Sequence, residues 1–175
     1  MNEALSTDDM TKYLGKLCKV IKYSQLIDVH NIDEFMKDVQ FLVLLYETEP
    51  RFGHWTCLIR NDILDIFEFF DSYGTKPDLQ LLDIPIRIRN ALGQEYPLLA
   101  TLLFKSRRKI HYNNHKLQKL DKNIATCGKW VIFRCLMCYL NVDLFVNMIE
   151  NYNKKDKELD KTIQKMWLEL KKTQK

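Results

Sequence analysis

The stretch CGKWVIFRCLMCYL, residues 127–140, is apolar on almost every side. A helix with one apolar stripe can lie on a surface, but one that is apolar all round must be covered all round. The rest of the chain therefore has to build layers around this segment. With 175 residues, 46% of them hydrophobic, it has enough material for one domain that buries roughly 70% of its unfolded surface. The covering layers read as short apolar runs. QFLVLLYE (40–47), HWTCLIR (54–60) and ILDIFEFFD (63–71) are strand-length, and Asn61-Asp62 between the last two predicts a two-residue hairpin turn. RKIHY and HKLQKL read as two further strands. Apolar positions Met10, Leu14, Leu17, Val20 and Ile21 predict a helix over 8–22, and Asn31 with Glu34 caps a short helix through Lys37. Residues 86–104 carry helical turns broken near Gly93 and Pro97, and DLFVNMIENY is a helix after the buried one. Strands grouped between helices indicate an α+β fold, a small and mostly antiparallel central sheet packed on the buried helix.

Several classes of protein are excluded at this stage. The longest apolar runs fall short of the ~18 residues of a membrane span, and Arg134 interrupts one of them. The start, MNEALSTDDM, has neither the basic residues nor the apolar centre of a signal peptide. Five cysteines (Cys18, Cys57, Cys127, Cys135, Cys138) are an odd number, which suits free thiols in a reducing compartment. A non-secreted monomer without membrane contact is expected. The net charge of +4 is unevenly spread: residues 105–122 carry seven Lys/Arg against one Asp, and 154–175 carry eight Lys against four acids. Both segments read first as solvated surfaces, with contact to a nucleic acid as the alternative. The chain divides into a body, 1–150, and a charged extension, 151–175. In the extension Leu159, Ile163, Met166, Trp167 and Leu170 form one helical face that should dock on the body.

A histidine entering a strand, His54 in RFGHWTC, is either a satisfied core residue or an acid–base group. The expected hairpin register places Phe69 opposite His54, and Asp71 on the same face as its diagonal neighbour. A His–Asp pair becomes chemistry when a nucleophile joins it. Cys127 opens the apolar helix, and a helix N-terminus favours the thiolate, as an imidazolium beside it would. The three residue types together specify acyl transfer. The thiolate attacks a carbonyl, His54 protonates the leaving amine, and Asp71 fixes the imidazole tautomer. The oxyanion that forms requires donors: the backbone N–H of Cys127 is one, and Gln118, Asn113, Asn114 and Asn123 compete for the second role. Cys135 and Cys138 form a CxxC without a matching second pair, and His111 and His115 lie in a strand-and-turn context. No metal is expected from either.

GHW, FFDSYG, LQ and CGKWVIFRC in this order resemble the adenovirus-protease-like (adenain-like) cysteine peptidases, especially the maturation proteases of virophages, Polinton/Maverick elements and large DNA viruses. These share a clan with the ubiquitin-like-protein-specific proteases. The resemblance implies a papain-type arrangement with the nucleophile at the N-terminus of the buried helix. It implies His54, Asp71 and Cys127 as a triad, with Asp71 where the adenovirus enzymes have Glu, and Gln118 as the oxyanion-hole glutamine. It places Gly53 and Gly128 along the substrate groove, Gly53 admitting a substrate backbone and Gly128 keeping the oxyanion pocket open; Trp55 reads first as a packing residue, with a contact in that groove as the alternative. The implied function is cleavage of capsid or other virion precursors, after small residues such as Gly, during particle maturation in the virion and the host cytoplasm. No cofactor is implied; stimulation by DNA or a peptide, as in the adenovirus enzymes, is left open. The alternatives are a protease removing ubiquitin-like modifiers from host proteins and a nucleic-acid-binding virion protein that retains the fold.

Overall fold

Residues 3–121, 123–152 and 158–173 are described by the computed structural model. The chain enters through helix α1 (Thr7–Leu14), where the Ser6 side chain accepts from Asp9 N–H and the Asp9 carboxylate from Ser6 N–H. The helix expected over 8–22 ends there. Gly15 takes φ 62°, the left-handed region that glycine enters without penalty, and residues 18–22 form strand β1 (Cys18–Lys22). The side chains explain the misreading: Val20 packs into one core and Ile21 into the other. That is strand alternation, which a helical pattern of apolar pairs resembles over so short a length.

Four more strands, β2 (Phe41–Glu49), β3 (Phe52–Asn61), β4 (Ile66–Phe70) and β5 (Lys109–Tyr112), complete a sheet of order β1-β2-β3-β4-β5. The central three run antiparallel, while β1 joins β2 and β5 joins β4 in parallel. One face carries Val43, Leu45, Trp55, Cys57, Ile59 and Phe70 against α1, α5 (Cys127–Leu136), α6 (Val142–Tyr152) and α7 (Leu159–Thr173). The other carries Leu42, Leu44, Leu58, Phe67 and Phe69 against α2 (Ile32–Phe35) and α4 (Leu98–Lys105), with α3 (Ile86–Ala91) beside them. Burial on both faces is why β2 reads as an unbroken apolar run rather than an alternating one. The segment HKLQKL, expected as a strand, is irregular and runs along the end of the sheet.

Helix α5 is the covered helix that the sequence demanded. Trp130, Val131 and Ile132 are fully buried. Its two buried cations are also accounted for. Arg134 makes paired bonds to Glu68 at 2.7 and 2.8 Å and donates to Met137 O and Leu140 O. Lys129 Nζ donates to Glu3 O and Ala125 O. Helix α6 runs through the boundary expected at 150/151, and α7 buries Ile163, Met166 and Trp167 in the same core as α5. Of the two basic segments, Lys122, residues 154–157 and 174–175 lie outside the described residues. Within the first, Arg108 is engaged by Asp33, Asp62 and Asp65.

The hairpin corrects the expected register. Cys57 faces Phe70 and Asn61 faces Ile66, so the loop is the four residues 62–65 rather than Asn61-Asp62 alone. Asn61 accepts from Leu64 N–H, Asp65 takes φ 52°, and Ile63 is 95% exposed. The apolar letters at 63 and 64 thus belong to a loop tip, not to the strand.

Candidate active site

Strand β4 stops at Phe70, and the chain leaves the sheet as the loop DSYGTKPD. Carrying the observed register past the strand end puts Tyr73 opposite His54 and Asp71 opposite Thr56, next along the same face. Asp71 is therefore still a diagonal neighbour of His54. Relative to the expected register, the shift is an even number of residues, so the face is preserved and only the side of the diagonal changes. His54 Nε2 lies 2.6 Å from Asp71 Oδ1, with the His54 side chain 12% exposed and that of Asp71 fully buried. Tyr73 stacks on the imidazole at 4.3 Å between centroids and 16° between planes.

The Asp71 carboxylate is held from every side. Oδ1 also accepts from the N–H of Tyr73 at 2.9 Å; Oδ2 accepts from Thr75 Oγ1 and from Gln80 Nε2, the latter at 2.7 Å. Burial alone would raise its pKa, but the bonds from His54, Thr75 and Tyr73 outweigh burial and hold it below the usual carboxylate value of 3.8. It is an ionised, fixed acceptor.

Cys127 is the first residue of α5. Trp55, paired with Leu45 of β2, lies one residue after His54, and the backbone N–H groups of Trp55 and Gly128 together with the His54 ring act on the Cys127 thiol. Since Nε2 is engaged by Asp71, the ring nitrogen facing the thiol is Nδ1. Burial pushes the Cys127 thiol up, yet these donors and the His54 charge bring it below its ordinary 9.0. Burial likewise pushes His54 down, and Asp71 and Cys127 reverse this to about 10. Both shifts run in the direction that favours a thiolate beside an imidazolium, the pairing in which a cysteine becomes more nucleophilic.

Gln118 reaches this site along the end of the sheet. Leu117 N–H and Gln118 N–H both donate to Ser72 O, and the Gln118 side chain accepts from Ser72 Oγ at 2.8 Å while its Nε2 faces Tyr73 OH (3.3 Å) and Ile124 O (3.2 Å). With His54, Trp55 and Cys127 it lines a groove of about 960 Å³. Of its competitors, Asn113 is fully buried and spends its amide on Asp71 O and His115 O, and neither Asn114 nor Asn123 lines the groove.

Packing supplies its own reasons for two of the glycines. Gly53 borders the groove, and a Cβ there would sit 1.9 Å from Tyr46 O, so the close approach of β2 by itself requires glycine. Gly128 does not line the groove. It lies beneath the N-terminal segment, where a Cβ would meet Met10 Cε at 2.8 Å and Leu5 Cβ at 3.0 Å. Trp55 borders the groove, but its ring is buried and its indole N–H is spent on Leu5 O. Cys135 contacts Cys57 at 3.7 Å while Cys138 accepts from Gln40, so the CxxC thiols do not converge. Among the described residues no group of three His, Cys, Asp or Glu is placed to hold a metal.

Four contributors escaped the sequence reading. Thr75 and Gln80, which grip Asp71, sit in loop and 3-10 segments without periodicity. Tyr73 lies within the FFDSYG motif, and a four-residue hairpin loop places it opposite His54. Asp160, a polar residue of an amphipathic helix, accepts from Lys119 N–H, Thr126 Oγ1 and Trp130 Nε1.

The sequence matches no family model. It is 36% identical over 148 residues to "Uncharacterized protein V9" of Sputnik virophage, covering 85% of this chain and 84% of that protein. Among solved structures, the central domain of Lpg1148 from Legionella pneumophila superposes with a TM-score of 0.43 at 14% identity, over 94% of this chain and 97% of that one. A de-sumoylating protease superposes with a TM-score of 0.38 at 18% identity, over 90% and 70% of the two chains. Superpositions this loose carry no weight for the chemistry, which stands on the side chains described above.

Proposed function

This chain belongs to the family of the Sputnik virophage protein V9, and on that footing we propose that it is a cysteine endopeptidase that cleaves virion precursor proteins during particle maturation. The observation that carries the chemistry is the His54 ring bonded to the Asp71 carboxylate and lining one groove with Cys127, whose thiol it acts on. The viral relative and the motif order support the maturation role.

In this reading, an extended segment of substrate lies in the groove with its scissile carbonyl over Cys127. The thiolate attacks the carbonyl carbon, and the negative charge moves to the carbonyl oxygen. That oxygen takes hydrogen bonds from the backbone N–H of Cys127 and from Gln118 Nε2, which turns from its long bonds to Tyr73 and Ile124. Collapse of the intermediate breaks the C–N bond as Nδ1 of His54 passes its proton to the leaving amine. Neutral His54 then takes a proton from water, the hydroxide adds to the thioester, and the acid leaves with the thiolate restored. Throughout, Asp71 keeps the Nε2 proton in place.

The test is a thiol-directed irreversible probe followed by precursor cleavage. Labelling should occur in the wild type and in Cys135→Ala and vanish in Cys127→Ala. Purified protein should then cut viral capsid precursors, with or without added DNA, at small residues. Absence of Cys127 labelling in reducing buffer would favour a binding protein. Capture by ubiquitin-like aldehydes, with no precursor cleaved, would move the substrate to folded modifiers.

A further inference from the structure

Asp160 stands in the first turn of α7, far along the chain from the triad, yet it borders the same groove. Its side chain is 9% exposed, and it has no basic partner within ion-pair distance among the described residues. Its bonds go instead to the two segments that supply the oxyanion donors. Oδ2 accepts from Lys119 N–H at 2.9 Å, immediately after Gln118. Oδ1 accepts from the hydroxyl of Thr126, the cap residue immediately before Cys127, and from Trp130 Nε1 one turn further along the nucleophile's helix. Thr126 makes no side-chain cap to its own helix; Asp160 takes its hydroxyl instead. A buried carboxylate with both oxygens bonded to these backbone and side-chain donors constrains the distance between them.

We infer that Asp160 is a positioning residue for the oxyanion site: through Lys119 and Thr126 it sets the separation between Gln118 Nε2 and the backbone N–H of Cys127, and the C-terminal helix is thereby part of the active site. The inference rests on the thiol-acyl-transfer reading above. It does not extend to the thiolate–imidazolium pair, which Asp160 does not touch.

The separation of those two parts is the test. Alkylation of Cys127 by iodoacetamide needs the thiolate but forms no oxyanion. Acylation by a p-nitrophenyl ester needs both. In Asp160→Ala, the acylation burst should slow about 10- to 100-fold, the range for a misplaced or lost oxyanion donor, with alkylation kept within about twofold. Asp160→Asn can accept from Lys119 with its oxygen and donate to Thr126 Oγ1 with its amide, so it should fall between wild type and Ala. Thr126→Val should reproduce part of the Ala defect and add nothing to it in the double variant. Parallel loss of alkylation and acylation would reduce Asp160 to a structural strut and overturn the inference, as would an unchanged burst. Because the ester is not a peptide, failure of wild-type protein to cut any polypeptide would refute the proposed function while leaving this comparison readable.

Discussion

Removing Asp71 in two ways should separate its structural role from its electrostatic one. In Asp71→Ala four donors lose their acceptor: His54 Nε2, the N–H of Tyr73, Thr75 Oγ1 and Gln80 Nε2. Each buried donor left unmatched costs about 1–3 kcal/mol. Thr75 and Gln80 bond each other at 2.6 Å and can repartner, so the loss falls near that of a broken buried ion pair, about 3–5 kcal/mol. Against a total of roughly 5–15 kcal/mol, this is severe. Asp71→Asn keeps the shape. Its oxygen can face His54 and Tyr73, and its amide can face Gln80, whose Oε1 is buried without a protein partner, and Thr75, whose hydroxyl can turn to accept. The expected cost is about 1 kcal/mol. The charge is nevertheless gone, so the imidazolium loses the carboxylate that favours it, and the thiolate loses its counter-ion in turn. Urea unfolding followed by tryptophan fluorescence gives the two stabilities, and iodoacetamide rates against pH report the thiolate. In the wild type the rate should rise with pH at a lower pH than for an ordinary thiol, because Cys127 is lowered from 9.0 and the thiolate is the reacting form. In Asp71→Asn that rise should move to higher pH. Equal stabilities for the Asn and Ala variants, or superimposable alkylation profiles for Asn and wild type, would refute the reasoning.

The pair also predicts an unusual pH dependence of stability. His54 is raised from 6.5 to about 10, so its contribution is complete below 6.5 and is lost as pH rises through 10. Cys127 is lowered from 9.0, so its contribution is complete above 9.0 and is lost as pH falls through its folded value. Between about 6.5 and 9 the His54 contribution declines with pH while the Cys127 contribution grows, so the two oppose each other and wild-type stability should change less there than that of a variant with only one of them. Cys127→Ala should instead decline from about pH 6.5 upward; parallel urea midpoints for the two proteins at pH 6, 7, 8 and 9 would count against the pair. Gly53→Ala places a Cβ 1.9 Å from Tyr46 O and should cost at least about 3 kcal/mol by thermal melting, with His54 displaced and alkylation slowed. Arg134→Ala strands Glu68 and should cost about 3–5 kcal/mol, most of which Arg134→Met with Glu68→Leu should recover.

The parts of this molecule that were readable from its sequence are those governed by parity and by burial. His54 and Asp71 were matched because strand alternation survives any even error in register, and the four-residue loop was such an error. Cys127 was marked by its place at the head of a helix with no polar face. The N-terminal half misled for the complementary reason: over the five residues of β1, Val20 and Ile21 satisfy a helical stripe and a two-faced strand equally well. Thr75, Gln80 and Asp160 were illegible on another ground. Each acts through a hydrogen bond to a residue distant in sequence or in a loop, and such a bond leaves no period behind it. Asp160 shows the consequence most clearly. Amphipathic spacing pointed to the face of α7 that carries Ile163, Met166 and Trp167, which are buried with α5, and by the same logic assigned its polar residues to solvent. Once those apolar side chains dock, however, the first turn of α7 is carried to the rim of the groove, and a carboxylate there meets Thr126 and Lys119 rather than water. Packing thus delivers a polar group to the site as a by-product of burying apolar ones. Pattern reading recovers the burial, and coordinates are needed for the delivery.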